Sequence, residues 1–217
     1  MSLTMTELVK GSSKKGDADF VFRMIILGES GVGKTSILQR YRDCEFDESL
    51  QPTVGVDFSS KLLKRPQGLV KLQIWDSAGQ EKYRSLTRTY FRNTIASVLV
   101  YDISDMKSFE AIEEWVNELE KYGNSNAVKL LIGNKTDLSH ERKVSLNLGL
   151  NFAKRNKMIF CETSAKTNDM IGTAFEMIVE AVFKRLDAGE IDLTDASSGV
   201  KRNQLVINKQ PAKKGCC

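Results

Sequence analysis

The sequence predicts an α/β fold: an open, mostly parallel six-stranded sheet with one antiparallel edge strand and helices on both faces. Two patterns predict it. Short apolar runs alternate with stretches of helical period, and one pair of runs with period-2 alternation interrupts them around a turn. The first run, residues 20–27, is apolar except for Arg23, as expected of a strand buried on both faces. A helix over 35–41 follows, then an exposed loop over 46–53 containing Pro52. Residues 56–63 and 69–75 alternate apolar and polar side chains around Arg65-Pro66-Gln67-Gly68, which predicts an antiparallel hairpin with one strand at the sheet edge. Three further apolar runs, 96–101, 128–132 and 158–161, are separated by helical patterns near 108–122 and 145–155. A last amphipathic helix over 170–186 repeats Ile171, Ala174, Phe175, Ile178, Val179 and Val182.

The chain has 217 residues, which allows one substantial core and is too short for two domains with linkers. We expect a flexible extension over 1–19, one domain over 20–186, and an unstructured tail over 187–217. No apolar stretch is long enough to span a bilayer. The net charge of +4 arises from intermixed bases and acids and not from a dense basic stripe, so nucleic acid is not an expected partner. The first residues have neither signal- nor transit-peptide character, which predicts a cytosolic chain. Cys44 and Cys161 stand alone and read as small buried apolar side chains, while Cys216 and Cys217 end the chain. His140, the only histidine, falls in a polar loop and reads as solvated.

Directly after the first strand comes Gly28-Glu29-Ser30-Gly31-Val32-Gly33-Lys34-Thr35, followed by Ser36. It satisfies G-x-x-x-x-G-K-[ST] between a strand and a helix, the context a phosphate-binding loop requires. Phosphates need converging N–H donors on a backbone that can approach closely, and the helix N-terminus adds positive potential behind them. Lys34 would lie between the terminal phosphates, and the Thr35 hydroxyl would coordinate Mg²⁺, a hard cation that prefers oxygen.

Asn134-Lys135-Thr136-Asp137 follows the run at 128–132 and so falls at a strand's carboxyl end, on the same rim as the phosphate loop. There Asp137 can accept from two guanine donors, N1–H and the 2-amino group, which adenine does not offer in that arrangement. Asn134 could bond the base and tie the loop, and the Lys135 stem could lie over the ring. Ser164-Ala165-Lys166 would offer a backbone N–H to the guanine O6.

These segments, with Thr53 and Asp76-Ser77-Ala78-Gly79-Gln80, resemble the Ras superfamily of small GTPases over about residues 20–186. Val54-Gly55-Val56-Asp57-Phe58, Tyr83-Arg84-Ser85-Leu86 and the terminal Cys-Cys resemble the Rab branch. The resemblance implies a P-loop NTPase G domain that binds GTP or GDP with Mg²⁺, hydrolyses GTP, and regulates vesicle trafficking. It implies Thr35, Thr53 and Asp76 around the metal, Gln80 positioning the attacking water, Gly79 and Thr53 sensing the γ-phosphate, and Phe46 covering the guanine edge. Phe58, Trp75 and Tyr90 resemble the aromatic triad that meets effectors. Hydrolysis would release two loops, about 44–57 and 77–91. Without an arginine in the phosphate loop, unaided turnover is expected on the order of 10⁻⁴ s⁻¹.

The Cys216-Cys217 ending resembles a signal for two geranylgeranyl groups, and two lipids are what stable anchoring requires. Leu205-Val206-Ile207 resembles the motif that contacts a prenylation escort protein, and Lys213 and Lys214 would favour anionic lipid. By resemblance the further partners are an exchange factor, a GTPase-activating protein, a GDP dissociation inhibitor and effectors. The chain would act as a monomer on the cytoplasmic face of intracellular membranes, cycling with the cytosol. Departures are Ser77, where Thr is usual, and Phe91-Arg92-Asn93-Thr94. Rival readings are a Ras- or Rho-like signalling GTPase, a nucleotide-dependent scaffold that hydrolyses nothing, and a P-loop kinase.

Overall fold

The computed structural model describes residues 18–79 and 84–203, without the side chains of 84–87. The elements in order are β1 (Phe20–Leu27), α1 (Lys34–Asp43), β2 (Val56–Arg65), β3 (Gly68–Ser77), α2 (Arg84–Phe91) and β4 (Ala96–Asp102). They continue through α3 (Met106–Glu110), α4 (Ile112–Tyr122), β5 (Val128–Asn134), α5 (Leu146–Arg155), β6 (Ile159–Glu162), α6 (Ile171–Asp187) and β7 (Val200–Arg202). The strands form one sheet in the order β2-β3-β1-β4-β5-β6, parallel except for β2, which runs antiparallel at the edge. A short 3₁₀ helix over Thr136–Glu141 links β5 to α5.

Strand periodicity divides the core. Phe22, Met24 and Ile26 of β1, with Ala96, Val98 and Val100 of β4, pack against Ile37 and Leu38 of α1 and against Phe175, Val179 and Val182 of α6. The alternate residues Ile25, Leu27, Leu99 and Tyr101 face the opposite layer, with Phe109, Trp115, Val116 and Phe152 from α3, α4 and α5. Successive strand side chains point to opposite faces, so a continuous apolar run is what a doubly covered strand must show. The helical pattern read as one element near 108–122 is two helices joined at Ala111, the first capped by the Asp105 carboxylate, which accepts from the Lys107 N–H.

Among the described residues the sheet has seven strands, not six, and the extra one comes from the region expected to be unstructured. After α6 the chain adds β7 antiparallel to the start of β1, pairing Val200 with Phe22, Lys201 with Val21 and Arg202 with Phe20. This fills the side of β1 below Met24, where pairing with β4 begins. The Arg23 N–H donates to the Gly199 carbonyl at 2.9 Å, and the Asn203 N–H donates to the Asp19 carbonyl at 2.9 Å. Ile191, Ser198 and Val200 are buried. Part of the tail is thus a strap on the sheet, and the rest, including Leu205, Val206, Ile207, Lys213, Lys214, Cys216 and Cys217, lies outside the described residues, as do residues 1–17. The reading of Cys44 as buried is corrected as well. It closes α1 with φ 62° and is exposed, while Cys161 is buried as expected.

Candidate functional site

A cleft of about 390 Å³ opens at the carboxyl ends of the strands. Its lining joins Ser30, Gly31, Gly33, Lys34, Thr35 and Ser36 from the β1–α1 turn to Phe46 and Thr53 from the following loop. Gly79, Asn134, Lys135, Asp137, Ala165 and Lys166 complete it. In the observed strand order the chain leaves β1 toward β3 on one side and β4 on the other, and the crevice where such an order divides is where open α/β sheets bind ligands.

Gly33 precedes the first helical residue with φ 94°, a left-handed conformation, and a Cβ there would come within 2.5 Å of Asn134 Nδ2. Lys34 is buried, and its ammonium donates to the carbonyls of Gly28 and Glu29 at 2.8 Å each. Burial pushes its pKa down to about 8, against the opposing pull of Asp76 and Glu29. A cation held this way gains from any anion that enters the loop.

The Thr35 hydroxyl donates to Asp76 Oδ2 at 2.5 Å and lies 2.7 Å from the Thr53 hydroxyl. Since the Thr35 proton is given to Asp76, Thr53 is the donor of the second bond. Asp76 Oδ1 is buried and has no hydrogen-bond partner. Burial raises the Asp76 pKa, partly offset by Thr35 and Lys34. A buried, half-satisfied carboxylate beside two hydroxyls is the oxygen donor set a hard divalent cation suits. Among the described residues no cluster of three His, Cys, Asp or Glu side chains could hold a metal, and the donor set here is one carboxylate and two hydroxyls.

At the other end of the cleft, the segments after β5 and β6 are bound together. Asn134 Nδ2 donates to the Val32 carbonyl at 2.9 Å, and its Oδ1 accepts from Thr163 Oγ1 at 3.1 Å and from the Ala165 N–H at 3.3 Å. One side chain therefore ties the phosphate loop to both polar segments. The Ser164 hydroxyl donates to Asp137 Oδ1 at 2.6 Å and accepts from the Thr167 N–H, which orients the carboxylate. Lys135, at φ 69°, sets its ammonium 2.7 Å from Asp102 Oδ2.

Phe58 and Trp75 lie with ring centroids 5.6 Å apart, and Trp75 and Tyr90 5.8 Å apart, with Phe58 exposed. Phe46 is half-buried with the Arg40 guanidinium over its ring. Gln80 lies outside the described residues. Sequence reading missed Arg40, which donates to the carbonyls of Ala165, Cys44 and Lys166 and so joins α1 to the base-side loop. It also missed Glu48, paired with Lys166 at 2.7 Å. Both are ordinary surface charges in sequence, and no local pattern marks them.

The Ras family model matches residues 23–184. Ras-related protein RabC of Dictyostelium discoideum is 38% identical over 204 residues, covering 93% of this chain and 100% of the relative. Ras-related protein Rab-10 of Caenorhabditis elegans is 38% identical over 199 residues, 92% and 97% of the two chains. Ras-related protein rab-39 of the same organism is 41% identical over 187 residues, 84% and 82%. The chain belongs to the Ras family and is a small GTPase of the Rab type. As a member it hydrolyses GTP to GDP, and regulation of vesicle traffic is the general role of its branch. No helix among the described residues is long and apolar enough to cross a membrane.

Proposed function

We propose that the cleft holds GTP or GDP with Mg²⁺ and that its loops report the nucleotide state to partners. The observation that carries this is the convergence of Lys34, Thr35, Thr53 and Asp76 at one end of a cleft whose other end carries Asp137, oriented by Ser164. Backbone amides of residues 31–35 receive the phosphates, with Lys34 between them. Asp137 accepts from guanine, Lys135 and Phe46 cover it, and the Ala165 amide meets its carbonyl edge. Thr35, Thr53 and Asp76 are the residues that would hold Mg²⁺ beside the phosphates, and the ion, when bound, would supply neutralisation of the charge that develops in phosphoryl transfer.

Gln80 orients the attacking water. An activating protein supplies the charge that Glu29, Ser30 and Val32 cannot. Loss of the γ-phosphate frees Thr53 and Gly79, and the aromatic set Phe58, Trp75 and Tyr90 presents the change to effectors. Exchange factor, GDP dissociation inhibitor and prenylation escort protein are the remaining partners. Geranylgeranyl groups on Cys216 and Cys217 hold the monomer on the cytoplasmic face of intracellular membranes.

Single-turnover phosphate release tests the catalytic assignment. Gln80→Leu should load GTP normally and lose nearly all hydrolysis stimulated by an activating protein; a near-normal stimulated rate would remove Gln80 from this role.

A further inference from the structure

Glu29 fills a variable place of the phosphate loop, yet its side chain is engaged. Its Oε1 accepts a hydrogen bond from the Trp115 indole N–H on α4 at 3.1 Å. Trp115 is 1% exposed and belongs to the buried cluster of Ile25, Leu27 and Leu99, so the donor is anchored in the core. The main chain of Glu29 is fixed twice more. Its carbonyl accepts from the Lys34 ammonium at 2.8 Å, and Gly79 lies so close to the Glu29–Ser30 peptide that a Cβ at 79 would overlap it.

Lys34 and Gly79, the two groups that meet the terminal phosphates, therefore both rest on one peptide. Swinging that peptide would move the lysine's anchor and the glycine's seat together. A side chain tied to a buried indole is what resists that swing. We propose that Glu29 is a positioning residue for nucleotide retention, acting through its hydrogen bond to Trp115, which fastens the start of the phosphate loop to helix α4. The inference rests on the nucleotide reading above.

Charge and position give opposite signs. A carboxylate near phosphates repels them, so if Glu29 acted by charge, both Glu29→Gln and Glu29→Ala would slow nucleotide release. Acting by position, Glu29→Gln keeps an acceptor for the indole and should stay within about twofold of the parent. Glu29→Ala should release faster, roughly tenfold for the loss of the hydrogen bond. Trp115→Phe keeps an aromatic ring, removes the donor, and should match Glu29→Ala; the double variant should be no faster than either.

The experiment is release of fluorescent GDP from the full chain with excess unlabelled GDP and Mg²⁺, beside thermal unfolding of each variant. Lower melting temperatures with parental release rates would make the contact merely structural and overturn the proposal. So would slower release in both Glu29 variants, or additive effects in the double variant. Parent protein that fails to retain GDP would overturn the nucleotide reading itself, whereas retention by the parent with unchanged release in Glu29→Ala would overturn only the assignment to Glu29.

Discussion

Val200 sits opposite Phe22 in an antiparallel pair, so a residue beyond the last helix completes the side of β1 that β4 leaves open. Val200 is buried in the same layer as Phe22 and Ile191. The strap continues to Asn203, whose side-chain amide donates to the Ala18 carbonyl at 2.6 Å, placing the two ends of the described chain side by side.

The strap should therefore contribute to stability. Burying Val200 and Ile191 is favourable by about 1.5–3 kcal/mol each, offset by the ordering of the segment. We expect Val200→Asp in the full chain, or truncation after Asp187, to cost about 2 kcal/mol and to lower the melting temperature of the GDP-loaded protein by roughly 4–8 °C. Truncation after Asn203 should change little. Equal melting temperatures for chains ending at 187 and 203 would remove the strap from the folded domain.

The shared hydroxyl of Thr35 predicts how magnesium acts. Its removal takes a donor from Asp76 and a neighbour from Thr53, and, on the proposed reading, an oxygen from the cation. In the parent, chelation of Mg²⁺ should accelerate GDP release markedly. Thr35→Ala should release quickly from the start and respond little to chelator, since the site that held the ion is already impaired. A chelator response as large in Thr35→Ala as in the parent would take Thr35 out of the metal site.

The two internal cysteines should differ in reactivity. Burial pushes the Cys161 thiol up to about 12, with the charge of Glu162 adding to it, so at pH 8 its thiolate share is roughly 10⁻⁴. Cys44 is exposed at the end of α1. In a chain with Cys216 and Cys217 replaced by serine, a maleimide at pH 8 should add one label, at Cys44, read by mass spectrometry of peptides. Rapid labelling of Cys161 in the folded protein would contradict its burial.

Much of this was legible because the signals are strong where the physics is strict. A doubly covered strand such as β1 must be apolar on both faces, and the phosphate loop needs glycine where a Cβ would collide, at Gly28 and Gly33, and where φ is 81°, at Gly31, so both declare themselves in sequence. The strap did not. β7 has three residues, too few for any period, and Ala196-Ser197-Ser198-Gly199 has the composition of a linker; the isolated Ile191 and Val200 were its one trace. Arg40 reaches the Ala165 carbonyl and Trp115 reaches Glu29 through contacts that only the packing of α1 and α4 creates.

On the proposed function, one cleft grips phosphates at one end and selects guanine through Asp137 at the other. The decisive measurement is competition of ATP and GTP for the chain loaded with fluorescent GDP and Mg²⁺. GTP should displace the label at concentrations far below those at which ATP has any effect, and Asp137→Ala should weaken GTP by roughly 10²-fold, as expected for losing two charge-assisted hydrogen bonds. Displacement by ATP as readily as by GTP, or an unchanged GTP affinity in Asp137→Ala, would contradict it.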